Sequence, residues 1–320
     1  MRAGSVFTLL AGVGWSQIAA AQTIAGDASV QAQWFTGSLE APSPALPKAG
    51  ILAVEPYFVY TSNNGSYDNS GARHSISNGA DVFTSETVFK YSLTDRLSLE
   101  ALPSFSSKLN NHDSYTGLGD LPVEAEYRFN DEDNKTGYPS VTASLGMTLP
   151  TGHFDNLNTA LDGFGSGVYT AKEGILFQSL FDTAGHHPVR LRFYGAAYEP
   201  VSNVSVQGNS VYGTSQGFHG TAIPGFSSVL GIGAGYGLDQ NWVLAFDLVQ
   251  NFANGLHLQG ANAGSVTDTH GTSSATLAVA PAIECNFTDN LGIIAGVEFS
   301  VAGRNTPSYY APQIALTTSF

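Results

Sequence analysis

The chain has 320 residues, a formal net charge of −14 and only 12% charged residues. Such acidity argues against a nucleic-acid partner, because phosphates would meet an excess of carboxylates. A single cysteine, Cys285, leaves no internal disulfide and no cysteine zinc cluster, and no apolar run reaches the ~18 residues of a helical membrane span.

Residues 1–21 read as a secretory signal. Arg2 gives a positive start, Val6 to Val13 a short apolar segment, and Ala19-Ala20-Ala21 a small-residue cleavage site before Gln22. The apolar segment is too short to cross a bilayer as a helix, so export with a mature chain of 22–320 is expected. Residues 22–50 are rich in small residues and carry Pro42, Pro44 and Pro47, which suits an extended leader. Its first reading is a loose periplasmic tail and its second a plug threaded into a lumen.

Residues 51–320 hold about twelve strand candidates, near 51–61, 80–92, 96–107, 118–130, 138–149, 167–180, 188–199, 226–238, 241–252, 273–286, 291–302 and 309–320. Each is about long enough to cross a bilayer when tilted. The period of two is clearest late in the chain. Trp242, Leu244, Phe246 and Leu248 share one face, as do Leu277, Val279, Pro281, Ile283 and Cys285, and then Leu291, Ile293, Val297, Phe299 and Val301. Short connections at 94–95, 131–137, 182–187, 239–240 and 288–290 alternate with longer ones at 62–79, 108–117, 150–166, 200–225, 253–272 and 303–308. That alternation predicts an all-β transmembrane antiparallel barrel of about twelve strands, with short turns in the periplasm and long loops outside. One mis-split strand would make the number ten or fourteen.

Opposite the apolar face, parity turns Glu55, Glu86, Lys90, Glu100, Asp120, Glu124, Glu126, Arg128, Arg190, Arg192, Asp247, Glu284 and Glu298 toward the interior. An ionised group facing hydrocarbon is costly, so these belong to the lumen. Tyr57 points the same way and is the aromatic candidate for solute contact. The charges either pair into networks that fill and stiffen a narrow lumen or form a constriction that screens solutes. Acids outnumber bases, which argues against an anion-selective pore.

Gly231, Gly233, Gly235 and Gly237 alternate with Leu230, Ile232, Ala234, Tyr236 and Leu238, so they are no dinucleotide loop. They leave one lumen wall bare, with room for a neighbouring strand, a plug or a solute. His112 and Ser114 lie two apart, but within Asn110-Asn111-His112-Asp113-Ser114 they read as turn formers, with a lipid hydrolase as the remote alternative. His153, His219, His257 and His270 show no metal-ligand spacing and read as solvated loop residues. The acidic turn Asp131-Glu132-Asp133-Asn134 lacks calcium-loop spacing. No cofactor, metal or catalytic residue is therefore assigned. Aromatics such as Tyr91, Tyr127, Phe129, Trp242, Phe252, Phe287 and Tyr310 cluster toward predicted strand ends, where girdles meet the two interfaces.

The last strand, Tyr309 to Phe320, sets Tyr310, Pro312, Ile314, Leu316 and Phe320 on one face, with Ala311, Gln313, Ala315 and Thr317 on the other. Both of its edges need partners, which pairing with the strand near 51–61 would supply. The terminal Phe320 resembles the signature that the barrel-insertion machinery reads in bacterial outer-membrane proteins.

The segment Gly117-Leu118-Gly119-Asp120-Leu121-Pro122-Val123-Glu124-Ala125-Glu126-Tyr127-Arg128-Phe129, followed by Leu149-Pro150-Thr151-Gly152, resembles the outer-membrane proteins named for the meta-pathway of phenol degradation. Members are described as transporters linked with aromatic-compound catabolism. The resemblance implies a passive channel of the bacterial outer membrane for small, apolar or aromatic solutes, and it carries no catalytic residues. A monomer in outer-membrane lipid is expected. The alternatives are a closed-lumen structural or surface-interaction barrel and a soluble secreted all-β protein.

Overall fold

The computed structural model describes residues 33–320 apart from 77–78, 111–112, 134, 184 and 186. The signal segment 1–21, the first part of the leader and His112 lie outside the described residues. In chain order the strands are β1 (Leu52–Tyr67), β2 (Arg73–Ser75), β3 (Asp81–Thr94), β4 (Leu97–Ala101), β5 (Ser104–Asn110), β6 (Asp113–Leu118), β7 (Leu121–Asn130), β8 (Ser140–Leu149), β9 (Thr170–Asp182) and β10 (Pro188–Pro200). They continue as β11 (Val204–Gln207), β12 (Phe218–Ile223), β13 (Ser227–Gly237), β14 (Trp242–Ala253), β15 (His257–Asn262), β16 (Ser265–His270), β17 (Ser274–Asn286), β18 (Leu291–Arg304) and β19 (Thr306–Ser319).

Twelve antiparallel wall strands close on themselves, with β4–β5 and β6–β7 each forming one interrupted strand. Closure is made by β19 against β1, from Ala53 opposite Ser319 to Tyr67 opposite Thr306. The breaks have local causes. Pro103 brings no N–H to the ladder, though its carbonyl still accepts from Thr87 N at 3.1 Å. Across the second break, Gly119 N donates to Ser104 O at 3.0 Å.

The strand pattern fixes what faces out. Phe193, Ile232, Leu244, Phe246, Ile283, Ile314 and Leu316 are exposed, while Val243, Ala245, Ala278, Ala280, Ile294 and Ala315 between them are buried. A continuous apolar belt of this kind suits hydrocarbon and not water. Tyr127, Phe129, Trp242 and Phe287 stand exposed near the short turns, with Phe252 and Tyr310 toward the other rim. The chain is thus an outer-membrane β-barrel, and the rim with the short turns is the periplasmic one.

Three expected loops are shorter than their sequence suggests. The 108–117 connection is ladder up to Asn110 and again from Asp113. The 303–308 connection contracts to Asn305, which takes φ 50°, and β1 runs on to Tyr67. Above the membrane both faces of a strand are wet, so hydropathy stops alternating while hydrogen bonding continues. The connections 200–225 and 253–272 supply a second sheet in the order β11-β12-β15-β16. Its small core joins Val204, Val206, Phe218 and Leu258 to Phe154 of the 150–166 connection.

Candidate functional site in the barrel interior

The leader lies inside the wall. Residues 35–36, 38–41, 43 and 45–46 are buried, and Leu39 shares one apolar cluster with Tyr57, Val88, Leu102 and Ile294. Both ends of the described leader sit at the periplasmic rim. Trp34 N donates to Gln240 O at 3.2 Å, and Ala49 N donates to Asp95 Oδ1 at 2.9 Å. Between them the chain rises to about mid-wall at Glu40 and returns, so it fills the periplasmic half of the lumen as a loop.

Wall side chains hold this loop mostly by its backbone. Arg190 donates to Gly37 O and to Glu284 Oε1, both at 2.7 Å, while its guanidinium stacks 4.4 Å from the Phe35 ring centre. Glu284 in turn accepts from Thr36 N at 2.9 Å. Arg192 donates to Ala41 O at 2.9 Å, and Thr142 donates to Pro44 O at 2.7 Å. At the apex, Asp247 accepts from Glu40 N at 3.1 Å and Gln313 donates to Glu40 Oε1 at 2.6 Å. The alternating glycines of β13 make the necessary space. A Cβ on Gly233 would stand 2.6 Å from both Ala41 Cβ and Asp247 Oδ1, and one on Gly237 would collide with Gln33.

The opposite wall carries charges that answer one another. Lys90 Nζ lies 3.0 Å from Glu100 and 2.7 Å from Glu126, with all three side chains fully buried. Lys172 pairs with Glu124 beside them. Oxygens of Glu100, Glu124 and Glu126 come within 4.8 Å of one another, and Lys90 and Lys172 supply positive charge against them.

The remaining candidates spread along the barrel. Glu55 accepts from Thr317, Glu86 is buried opposite Tyr57, and Glu298 accepts from Tyr309 at 2.8 Å above the leader's apex. Asp120 is not part of the interior network. It sits at the second strand break and accepts from Gly152 N at 2.9 Å and from Ser166 N at 2.7 Å, pinning the 150–166 connection to the wall. Arg128 also departs from the lumen expectation. It lies at the periplasmic rim, 3.1 Å from Asp131 and donating to Asp95 O. Both residues have inward parity but stand where the wall ends or breaks, which parity does not register.

Sequence reasoning missed Lys172, Gln178, Asn286 and the leader's own Glu40. Lys172 and Gln178 carry inward parity on β9, but they alternate there with inward Leu176 and Leu180. Gln178 links Arg192, at 2.8 Å, to Glu132 of a periplasmic turn, at 3.0 Å. Burial pushes the Glu132 carboxyl above its ordinary value, and the Gln178 hydrogen bond partly offsets that. Ser114 is exposed on β6.

A closed antiparallel wall, apolar outside and charged within, defines a transmembrane barrel of the outer-membrane type. The fold is similar to that of an outer membrane channel from Pseudomonas putida F1, with a TM-score of 0.60 and 18% identity over 86% of this chain and 97% of that one. At that identity the likeness is one of fold. The toluene transporter of Ralstonia pickettii aligns with a TM-score of 0.42 and 11% identity over 86% of this chain and 90% of that one. The translocator domain of the autotransporter NalP from Neisseria meningitidis aligns at 0.41 and 13%, over 86% and 90%. Neither of these two carries further argument. No protein-family model matches the chain, and no curated protein does. The architecture implied by the meta-pathway resemblance, an outer-membrane barrel, is the architecture found.

Proposed function

We propose that the protein is a passive outer-membrane channel for small solutes, and that residues 33–47 are a plug whose displacement opens it. The observation that carries this reading is the filling of the periplasmic half. What occupies it is a returning loop of chain, held by hydrogen bonds to backbone carbonyls that water could replace. The wall behind the loop, at Gly233, Gly235 and Gly237, offers no side chains to close the gap. Apolar or aromatic compounds are the solute class to test first, as the motifs at 117–129 and 149–152 imply. Glu86 and Glu298 are the lumen groups such a solute would meet above the leader's apex, and Tyr57, packed in one cluster with Leu39, would be uncovered when the plug moves. The barrel acts as a monomer in lipid, and Phe320, exposed and hydrogen-bonded through its backbone to Leu52, is where the insertion machinery would engage it.

Swelling of proteoliposomes tests this, with aromatic and sugar panels and with both the full chain and a variant lacking residues 33–47. The variant should remain heat-modifiable on gels and pass aromatics faster than sugars, while the full chain swells slowly. A folded variant that passes neither class would overturn the channel reading. It would favour the closed-lumen structural barrel, for which the ion pair between Arg190 and Glu284 beside the leader speaks.

A further inference from the structure

On the extracellular sheet, three potential ligands come together that lie far from any motif spacing. His257 on β15 and His270 on β16 are direct cross-strand partners, and Asp268 projects to the same side of β16 two residues earlier. The imidazole ring centres are 3.8 Å apart with planes 19° from parallel. Asp268 Oδ1 lies 2.8 Å from His257 Nε2 and 3.9 Å from His270 Nε2, and one ligand atom from each residue falls within 4.8 Å of the other two. We propose that His257, Asp268 and His270 form a binding site for a divalent late first-row metal ion, represented by Zn2+, with its remaining position open to the exterior.

The distances suit an ion, although His257 and Asp268 are within hydrogen-bond reach of each other at 2.8 Å. Ligands about 2.0–2.1 Å from a tetrahedral centre stand roughly 3.3 Å from one another. The observed separations of 2.8 and 3.9 Å straddle that value. At 3.9 Å the His270 nitrogen is beyond hydrogen-bond reach of the oxygen, so the carboxylate alone does not unite the trio. Two imidazole nitrogens with one carboxylate suit Zn2+, Ni2+ or Cu2+, whereas Ca2+ and Mg2+ favour oxygen sets.

The scaffold also fits. β15 and β16 are joined by the tight Ala263–Gly264 turn, with φ of 47° and 89°, and β15 is tied to β12. Because the two rings stack with nearly parallel planes, ion binding requires one of them to rotate, and His270, whose side chain is 73% exposed, is the ring with room to swing its in-plane lone pair toward His257 and Asp268. For the ion to bind, the hydrogen between His257 Nε2 and Asp268 must leave to solvent or shift to Nδ1, so that the neutral imidazole ligates through Nε2 and carries its one proton on Nδ1.

Calorimetric titration of the detergent-solubilised full chain with Zn2+ tests the site, alongside His257→Ala/His270→Ala and Asp268→Asn variants. The expected result is one high-affinity Zn2+ per chain that is lost in the double variant, with a more than ~10-fold weaker event in Asp268→Asn. Heat-modifiable migration should stay unchanged. Co2+ added to the unmodified protein should give the visible absorption of a nitrogen-ligated ion. A wild-type chain that binds no Zn2+, or binds it as the double variant does, would overturn the proposal.

Discussion

The two sides of the lumen solve the problem of buried charge differently. On the β3–β4–β7–β9 side, Lys90 and Lys172 meet Glu100, Glu126 and Glu124, so these ion pairs join wall to wall. On the β10–β13–β14–β17 side, Arg190 meets Glu284 but also a carbonyl of the leader, and Arg192 and Asp247 meet leader backbone as well. The first set of pairs joins wall strands to one another; the second also joins the wall to residues 37–41. A barrel with only the first kind would be a stiffened cylinder, whereas the second makes the interior depend on a segment whose two ends both lie at one rim.

The largest effect should come from breaking the wall-only side. Lys90→Met removes the shared cation and leaves Glu100 and Glu126 as uncompensated buried carboxylates, a loss of about 3–5 kcal/mol. Gel-shift unfolding against temperature should show a much lower transition for this variant. The double variant Lys90→Met/Glu126→Gln should recover part of it, since one carboxylate no longer needs a counter-charge. The leader should remain as protease-resistant as before in any barrel that stays folded. If Lys90→Met instead releases the leader and spares the wall, the two sides are not independent.

A smaller and opposite effect is expected on the leader side. Gly233→Val places branched carbon where Ala41 and Asp247 already stand 2.6 Å from a Cβ position. The wall ladder on both sides of Gly233 is continuous, paired to Arg192 and to Asp247, so the leader is what gives way. Overpacking of this order costs about 1–3 kcal/mol, or roughly a 5- to 150-fold shift from docked to released leader. Limited proteolysis of residues 33–47 and single-channel conductance should both rise, while thermal unfolding of the wall stays close to wild type. Unchanged conductance with a fully released leader would separate plug from gate.

The contrast also explains what could be read from the residues alone. The wall was legible because hydrocarbon on one face imposes a period of two, as in Trp242–Leu248 and Leu291–Val301, and because ionised groups of the other parity, such as Glu100, Glu126, Arg190 and Glu284, have only the interior to occupy. The same logic leads from the terminal strand to Gln313, which reaches Glu40. The leader's position was not legible. Its anchors are the carbonyls of Gly37, Ala41 and Pro44, which any sequence possesses, and its small residues and prolines suit a free tail equally well. The extracellular sheet escaped for a related reason. Its few core residues, Val204, Val206, Phe218 and Leu258, are scattered through polar loops and come together only through pairing across connections. The cross-strand meeting of His257 with His270 follows from that pairing and has no counterpart in sequence spacing.

The mildest perturbation lies where the leader side reaches the periplasm. Glu132 accepts from Gln178, which accepts from Arg192, which donates to Ala41 of the leader. Burial raises the Glu132 carboxyl above its unfolded value, with the Gln178 hydrogen bond acting the other way. The folded state therefore holds this proton more tightly than the unfolded state does. Its contribution is fully present below the ordinary glutamate value and is lost as pH rises through the raised one. Stability of the wild-type barrel should accordingly fall slightly across that window. Glu132→Gln keeps an acceptor for Gln178 and removes the titration, so its stability curve should be slightly flatter there. Equilibrium urea unfolding at stepped pH measures the difference. If the Gln variant retains the wild-type slope, the titrating group lies elsewhere, and the chain from Glu132 to Ala41 is a rigid strut with no sensitivity to periplasmic pH.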